Sequence, residues 1–263
     1  MTSTNLSRIL SCILFLSCPF ASAAAQEYRP AAAPPSVNQI VAQMTLHNQL
    51  RAEALKGYTG TRDYRLIYAG FPSNRQAEIV VNACFEAPNR KEFTVVSQSG
   101  SAFIIKRVLR RLLESEQEAS TEEQRARTAL NQQNYDFEWA GQEVVRNRPT
   151  YILRTIPKAD NKFLYRGKAW IDAHDFAVVK IEAEPAKRPS FWISKTQIHH
   201  EYAKVGDFWL PAENQSTTDV RLGGVATLTI RYTDYKVNQD RLPSACLPTA
   251  AGKSPGSLQN LNP

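Results

Sequence analysis

Between Tyr64 and Val237 apolar side chains return at every second residue, in short runs broken by turn-forming clusters, and a period of two belongs to the β-strand. Tyr64, Leu66 and Tyr68 make one run, Ala77 to Phe85 a second and Phe93 to Ser97 a third. Gly70-Phe71-Pro72-Ser73-Asn74 and Ala87-Pro88-Asn89 separate them as consecutive antiparallel strands require. Strands resume at Tyr135-Phe137-Trp139 and Tyr151-Leu153-Thr155. They continue through Ala169–Ile171, Phe176–Ile181, Trp192–Tyr202, Phe208–Val220 and Val225–Val237, for about ten strands in all, with Gly223-Gly224 as a two-residue hairpin.

Two segments break the alternation. Ser36 caps a predicted helix whose apolar positions Val37, Ile40, Val41, Met44 and Leu50 follow helical spacing, with Gly57 as its stop. From Lys106 to Gln133 the chain is charged and helix-forming, with Val108, Leu109, Leu112 and Leu113 as an apolar stripe and Thr121-Glu122-Glu123-Gln124 as a capping box.

Residues 1–25 read as an export signal: Arg8, then the apolar run Ile9–Leu16, then small residues ending at Ala25. Cys18 offers lipidation as an alternative ending. Pro30, Pro34 and Pro35 make residues 26–35 a linker, residues 36–240 the folded domain, and residues 241–263 a flexible tail. No later stretch has the run of ~20 apolar residues that spans a bilayer, so no transmembrane segment is expected. The 263-residue chain has a formal charge of +7, or +6 once Arg8 leaves with the signal, which suits an anionic surface such as phospholipid headgroups. No nucleic-acid motif accompanies that charge. Cys84 and Cys246 are the thiols that outlast cleavage, and an oxidising compartment lets such a pair bridge.

Motifs that carry chemistry are lacking. His199 and His200 point to opposite faces of a strand, no His-Glu-x-x-His occurs, and Glu182 with Glu184 reads as a water-facing strand end. No Gly-x-Ser-x-Gly elbow or phosphate-binding glycine loop is present. The expectation is a protein without catalytic residues, metal or cofactor. Aromatic loading is the stronger signal. In Phe191-Trp192-Ile193 and Phe208-Trp209-Leu210 successive large side chains alternate faces, so the sheet is apolar on both sides there. Helices cover one face, and a tail, partner or ligand must cover the other. A sealed core and a ligand-holding hollow satisfy this pattern equally.

Tyr165-Arg166-Gly167-Lys168-Ala169-Trp170-Ile171-Asp172-Ala173, followed by Phe176–Glu182, resembles a hairpin of the LolA-like outer-membrane lipoprotein-sorting proteins. Gly206–Pro211, Thr227–Tyr232 and the first helix after an export signal resemble the same family, and the likeness spans residues 36–238. It implies an α+β fold in which a curved antiparallel sheet forms a half-open β-barrel with helices packed on or in its concave side. It also implies a monomeric periplasmic carrier or binding protein that shields acyl chains of lipoproteins or phospholipid, working with inner- or outer-membrane sorting partners. The excursion Lys106–Gln133 departs from the family pattern. Alternation assigns Trp192, Ile198, Phe208, Leu210, Leu228, Ile230, Leu153 and Ile181 to the cavity lining, and the charges of Lys187, Arg188 and Lys195 suit a rim that attracts anionic headgroups. The rival readings are an envelope sensor that recognises lipoproteins and a metal-dependent hydrolase using His174, His199 or the two glutamates.

Overall fold

The computed structural model describes residues 35–118, 121–161, 163–187, 193–221 and 223–238. Cys18, Arg188, Phe191, Trp192 and Cys246 therefore lie outside the described residues, as do the expected leader and tail. From Pro35 onward the chain forms one unit.

Helix α1 spans Val37–Ala54 and begins where its sequence says it should. Ser36 Oγ accepts the Gln39 backbone N–H at 3.3 Å, and Gln39 Oε1 accepts the Ser36 backbone N–H at 2.8 Å, so two otherwise orphaned donors are satisfied. Ile40, Val41 and Met44 are buried. Leu50 is 53% exposed, which corrects its place in the stripe. Gly57 does not stop the helix either. The chain turns extended at Leu55, and Gly57 opens the first strand.

Ten strands follow, all antiparallel to their neighbours: β1 Gly57–Gly70, β2 Arg75–Glu86, β3 Arg90–Gly100, β4 Tyr135–Val145, β5 Arg148–Pro157, β6 Tyr165–Asp172, β7 Val178–Pro185, β8 Ile193–Val205, β9 Phe208–Val220 and β10 Gly224–Asn238. Their order is β3-β2-β1-β10-β9-β8-β7-β6-β5-β4. The first strand pairs with the last, from Gly57 opposite Asn238 to Gly70 opposite Gly224. The sheet is curved but unclosed, with β3 and β4 as its free edges. Most strands run beyond their expected limits, β1 beginning at Gly57 rather than Tyr64, and two limits have a local cause. β7 starts at Val178 because Phe176 sits in the preceding turn at φ +48°, and Gly224 belongs to β10, leaving Gly223 (φ +89°) in the left-handed position of the turn.

The chain passes from β3 to β4, from one sheet edge to the other, and this forces the intervening segment across a face. That segment holds α2 (Ala102–Ile104), a π-helical turn (Ile105–Leu109), α3 (Arg110–Glu118) and α4 (Glu122–Thr128). Ile104, Ile105, Leu109 and Leu113 are buried against Tyr64, Leu66, Ala77, Ile79, Val81 and Ile230. Val108, expected in the stripe, is exposed, because the inward side chains Ile105 and Leu109 are four residues apart and Val108 lies between them. Thr121 occupies the N-cap of α4 without making a side-chain cap bond.

At the other end of the same face, α1 packs Ile40, Val41 and Met44 on Leu153, Ala169, Ile171, Ile181 and Ala183. A third cluster joins Tyr58, Phe208 and Leu210. On the opposite face Ile152, Trp170 and Val179 pack with Trp209, so Phe208 and Trp209 do lie on different sides. No helix among the described residues is long and apolar enough to cross a membrane.

Gly167 of β6 lies against the β7 backbone: a Cβ there would stand 2.2 Å from the Glu182 carbonyl oxygen and 2.5 Å from the Ala183 Cα. Both obstacles are backbone and cannot swing aside. Gly167→Val should lower stability by about 3 kcal/mol as overpacking against backbone. The check is urea unfolding, where the midpoint should drop at unchanged slope.

Candidate functional site

Directly opposed residues of antiparallel strands share a face, so the pairings can be followed across the sheet. One row runs Ile79, Tyr64, Ile230, Asn214, His200, Ile181, Ala169, Leu153 and Trp139. The next runs Ala77, Leu66, Leu228, Ser216, Ile198, Ala183 and Gly167. Both begin under α2–α3 and reach the bed covered by α1. Between these beds lies a strip of β8 and β9 with Ile198, His200, Asn214 and Ser216 half-buried and Leu228 at its margin. This strip joins the two apolar beds on the helix-covered face and is the candidate site.

Its chemistry is amphipathic. The His200 ring meets Tyr165 edge-on at 5.7 Å, and burial, with His199 adding, pushes its pKa down to about 4, so it is a neutral imidazole at ordinary pH. Asn214 Nδ2 donates to Tyr232 Oη at 2.8 Å, while Asn214 Oδ1 is a buried acceptor with no partner among the described residues. A ligand with an apolar body and one hydrogen-bond donor meets complementary groups here. Among the described residues no group of three His, Cys, Asp or Glu side chains is arranged to hold a metal ion.

A buried ionic latch holds the cover over the first bed. Arg62, 3% exposed on the same face as Tyr64, donates through Nη1 to Glu116 Oε2 of α3 at 2.5 Å and to Tyr64 Oη at 3.2 Å, and through Nη2 to Tyr58 Oη at 3.3 Å. Tyr64 Oη donates to Glu116 Oε1 at 2.8 Å. The guanidinium also lies 5.0 Å from the Phe93 and Tyr232 ring centres. Burial works against the charge on Arg62, but Glu116 and the surrounding tyrosines outweigh it and raise its pKa. Lys91 approaches Glu116 at 3.9 Å, and burial, reinforced by Arg62, pushes its pKa down to about 8. Arg62 and Glu116 are 54 residues apart, so no local pattern announced the pair.

The residues expected to line one cavity are distributed. Leu153 and Ile181 lie under α1, Ile230 under α2–α3 with Leu228 packed beside it, and Phe208 and Leu210 pack with Tyr58. Ile198 is half-buried in the central strip, and Trp192 is outside the described residues. Of the expected rim, Lys187 and Lys195 are exposed, and Lys195 pairs with Glu184 at 3.5 Å. Arg188 is outside the described residues. Cys84 is disulfide-bonded. His174 is exposed in a turn, where its backbone N–H donates to Asp172. His199 and His200 do face opposite ways, His199 bonding Glu201 at 3.0 Å on the outer face.

A recess of about 740 Å³ is lined mainly by outer-face side chains, among them Arg166, Lys168, Glu182, Gln197, His199 and Gln215, with Ile198 at its edge. Its carboxylates are already engaged, Glu182 with Lys180 at 2.6 Å and Glu184 with Lys195. Exposed, self-paired side chains make a solvated surface, so volume does not mark the functional face here. Nearby, the fully buried Asp172 takes the Arg148 fork at 2.5 and 2.8 Å and the backbone N–H groups of His174 and Asp175. Burial raises its pKa, but these donors prevail and hold it below the ordinary carboxylate value.

Arg62→Met should destabilise by about 3 kcal/mol, because it leaves Glu116 half-buried with only Tyr64 and the more distant Lys91 as partners, whereas Arg62→Met with Glu116→Met should recover much of that loss. Urea unfolding of the single and double variants gives the comparison. His200 is harder to protonate folded than unfolded, so its contribution is complete above pH 6.5 and is lost as pH falls toward about 4. His200→Asn should flatten stability against pH across that window, as thermal melts in a buffer series would show.

A family model described as "Uncharacterized protein" matches residues 117–242. No curated protein sequence matches the chain. Among solved structures, a domain from Vibrio parahaemolyticus described as an outer-membrane lipoprotein-sorting protein aligns at 11% identity and a TM-score of 0.39, over 79% of this chain and 96% of its own. A LolA-superfamily protein from Nitrosomonas europaea aligns at 12% identity and a TM-score of 0.33, over 81% and 97%. MucB, from the Pseudomonas aeruginosa MucA/MucB complex, aligns at 9% identity and a TM-score of 0.23, over 74% and 94%. The chain is similar to these lipoprotein-sorting, LolA-superfamily and MucB structures, and the similarity is one of fold alone.

Proposed function

We propose that this chain is a periplasmic binding protein that shelters the acyl chain of a lipoprotein or phospholipid on the helix-covered face of its sheet. The observation that carries this reading is the first bed. Tyr64, Leu66, Ile79, Val81 and Ile230 form an apolar surface whose cover is a short helical segment contributing four buried side chains. Those four, Ile104, Ile105, Leu109 and Leu113, contribute roughly 6–12 kcal/mol at ~1.5–3 kcal/mol each. An acyl chain of about fourteen carbons gains about 10 kcal/mol on leaving water, at ~0.8 kcal/mol per methylene. Cover and acyl chain are thus close to interchangeable in free energy, and one can replace the other without exposing the bed.

The latch makes that exchange selective. Lifting α3 breaks the Arg62–Glu116 pair, so a short apolar molecule that returns less than the cover and latch together leaves the segment in place. The central strip then offers the ligand a continuous path from one bed to the other, with Asn214 Oδ1 as acceptor for an amide or hydroxyl near the head of the chain. No covalent step is involved.

Protein purified from its own envelope should release a stoichiometric amphiphile on solvent extraction and show its mass adduct in native mass spectrometry. Leu228→Glu and Ile198→Glu place a charge in the strip and should each reduce uptake of a fluorescent fatty acid at least tenfold while the circular dichroism spectrum stays unchanged. Full uptake by both folded variants would remove the strip from the binding path. Absence of any amphiphile from repeated native preparations would remove the function.

A further inference from the structure

We propose that the outward side of the α2–α3 segment is a docking surface for an anionic lipid bilayer. Residues 101–114 contain Lys106, Arg107, Arg110 and Arg111 and one acid, the exposed Glu114. Among the described residues none of these four forms an ion pair, a condition that Arg65, Arg75 and Arg166 elsewhere share. Arg110 is half-buried and donates to Gln98 at 3.4 Å, while Lys106, Arg107 and Arg111 are exposed. Phe103, one turn before Arg107, is 61% exposed.

The inward side chains Ile105 and Leu109 are four residues apart, so Lys106, Arg107 and Val108 between them are exposed in succession. A cluster of four cations against a single exposed acid, with an exposed aromatic beside it, matches a negatively charged headgroup layer. The cations gain Coulomb energy from the surface potential, and the ring enters the headgroup–acyl boundary. An acidic protein would satisfy the charges but would have to supply a separate pocket for Phe103. Val96, 58% exposed on β3, adds apolar area on the strand that Arg110 reaches through Gln98.

The surface points away from the bed, so this inference stands independently of what the bed holds. Each cation near an anionic surface strengthens binding roughly fivefold. The test uses both the full chain and residues 35–263, which contain every core cluster, in sedimentation with vesicles of phosphatidylethanolamine and phosphatidylglycerol and with vesicles of phosphatidylcholine alone. Binding is expected to the anionic vesicles only and to vanish in high salt, where the screening length falls to about 3 Å. Lys106→Gln, Arg107→Gln and Arg111→Gln together should weaken it on the order of a hundredfold. Phe103→Ser should weaken it about tenfold. The charge-matched control of Arg166→Gln, Lys168→Gln and Lys236→Gln should change it little, and fatty-acid uptake should be unaltered in all variants. Equal binding to neutral vesicles, equal loss in the control, or binding to poly-glutamate with none to vesicles would overturn the proposal.

Discussion

An antiparallel sheet that does not close leaves an apolar face that its own strands cannot bury. In this chain the first and last strands pair, which puts β3 and β4 at opposite edges and obliges the connection between them to cross the sheet. Coverage of the face therefore follows from topology. The edge-to-edge connection supplies α2–α3 over one bed, and the helix that precedes the first strand supplies α1 over the other. What neither helix reaches is the strip of β8 and β9, and there the face turns to histidine, asparagine and serine, which tolerate partial exposure.

The two covers are held differently. α1 is fixed by apolar contacts and by Arg51, which donates to the backbone carbonyls of Asp175 and Phe176 at 2.8 and 3.4 Å. α2–α3 depends in addition on a buried charge pair, whose removal from water costs nearly what the pairing returns. Such a pair adds little net stability and much directional selectivity. It specifies one seat for α3, since any other seat leaves Arg62 buried without its carboxylate.

The alternation of Tyr64-Leu66-Tyr68 and its successors made the strands legible, and Ser36-x-x-Gln39 made the start of α1 legible, because both signals are local. Facing was legible only in part. Register shifts at Thr59/Thr61, Val80/Val81, Trp139/Gly141, Trp170/Ile171 and Glu201/Tyr202 each insert a residue and reset which parity points inward. Ile198 and Phe208, both chosen by parity, consequently fall in different places, one in the strip and one beside Tyr58. The latch was illegible for another reason: Arg62 stands at a core-facing position where pattern predicts an apolar residue, and only Glu116, on a distant helix, makes that position tenable. The π-turn likewise hid its register, since Val108-Leu109 reads as one stripe until burial of Ile105 and Leu109 leaves Val108 outward.

The α2–α3 segment thus faces two environments with opposite demands. Its inner side offers Ile104, Ile105, Leu109 and Leu113 to the bed, and its outer side offers Phe103, Lys106, Arg107 and Arg111 to solvent. A surface that binds the outer side constrains the very element whose displacement uncovers the bed. If the docked segment is oriented by the headgroups in a way that the Arg62–Glu116 geometry does not match, membrane contact and opening share one free energy, and each favours the other by the same factor. If the docked and latched orientations coincide, contact instead holds the bed closed. Fatty-acid uptake measured with and without anionic vesicles separates the two, because reciprocity fixes the sign: tighter vesicle binding by the acyl-loaded protein requires tighter acyl binding by the docked one, by the same factor.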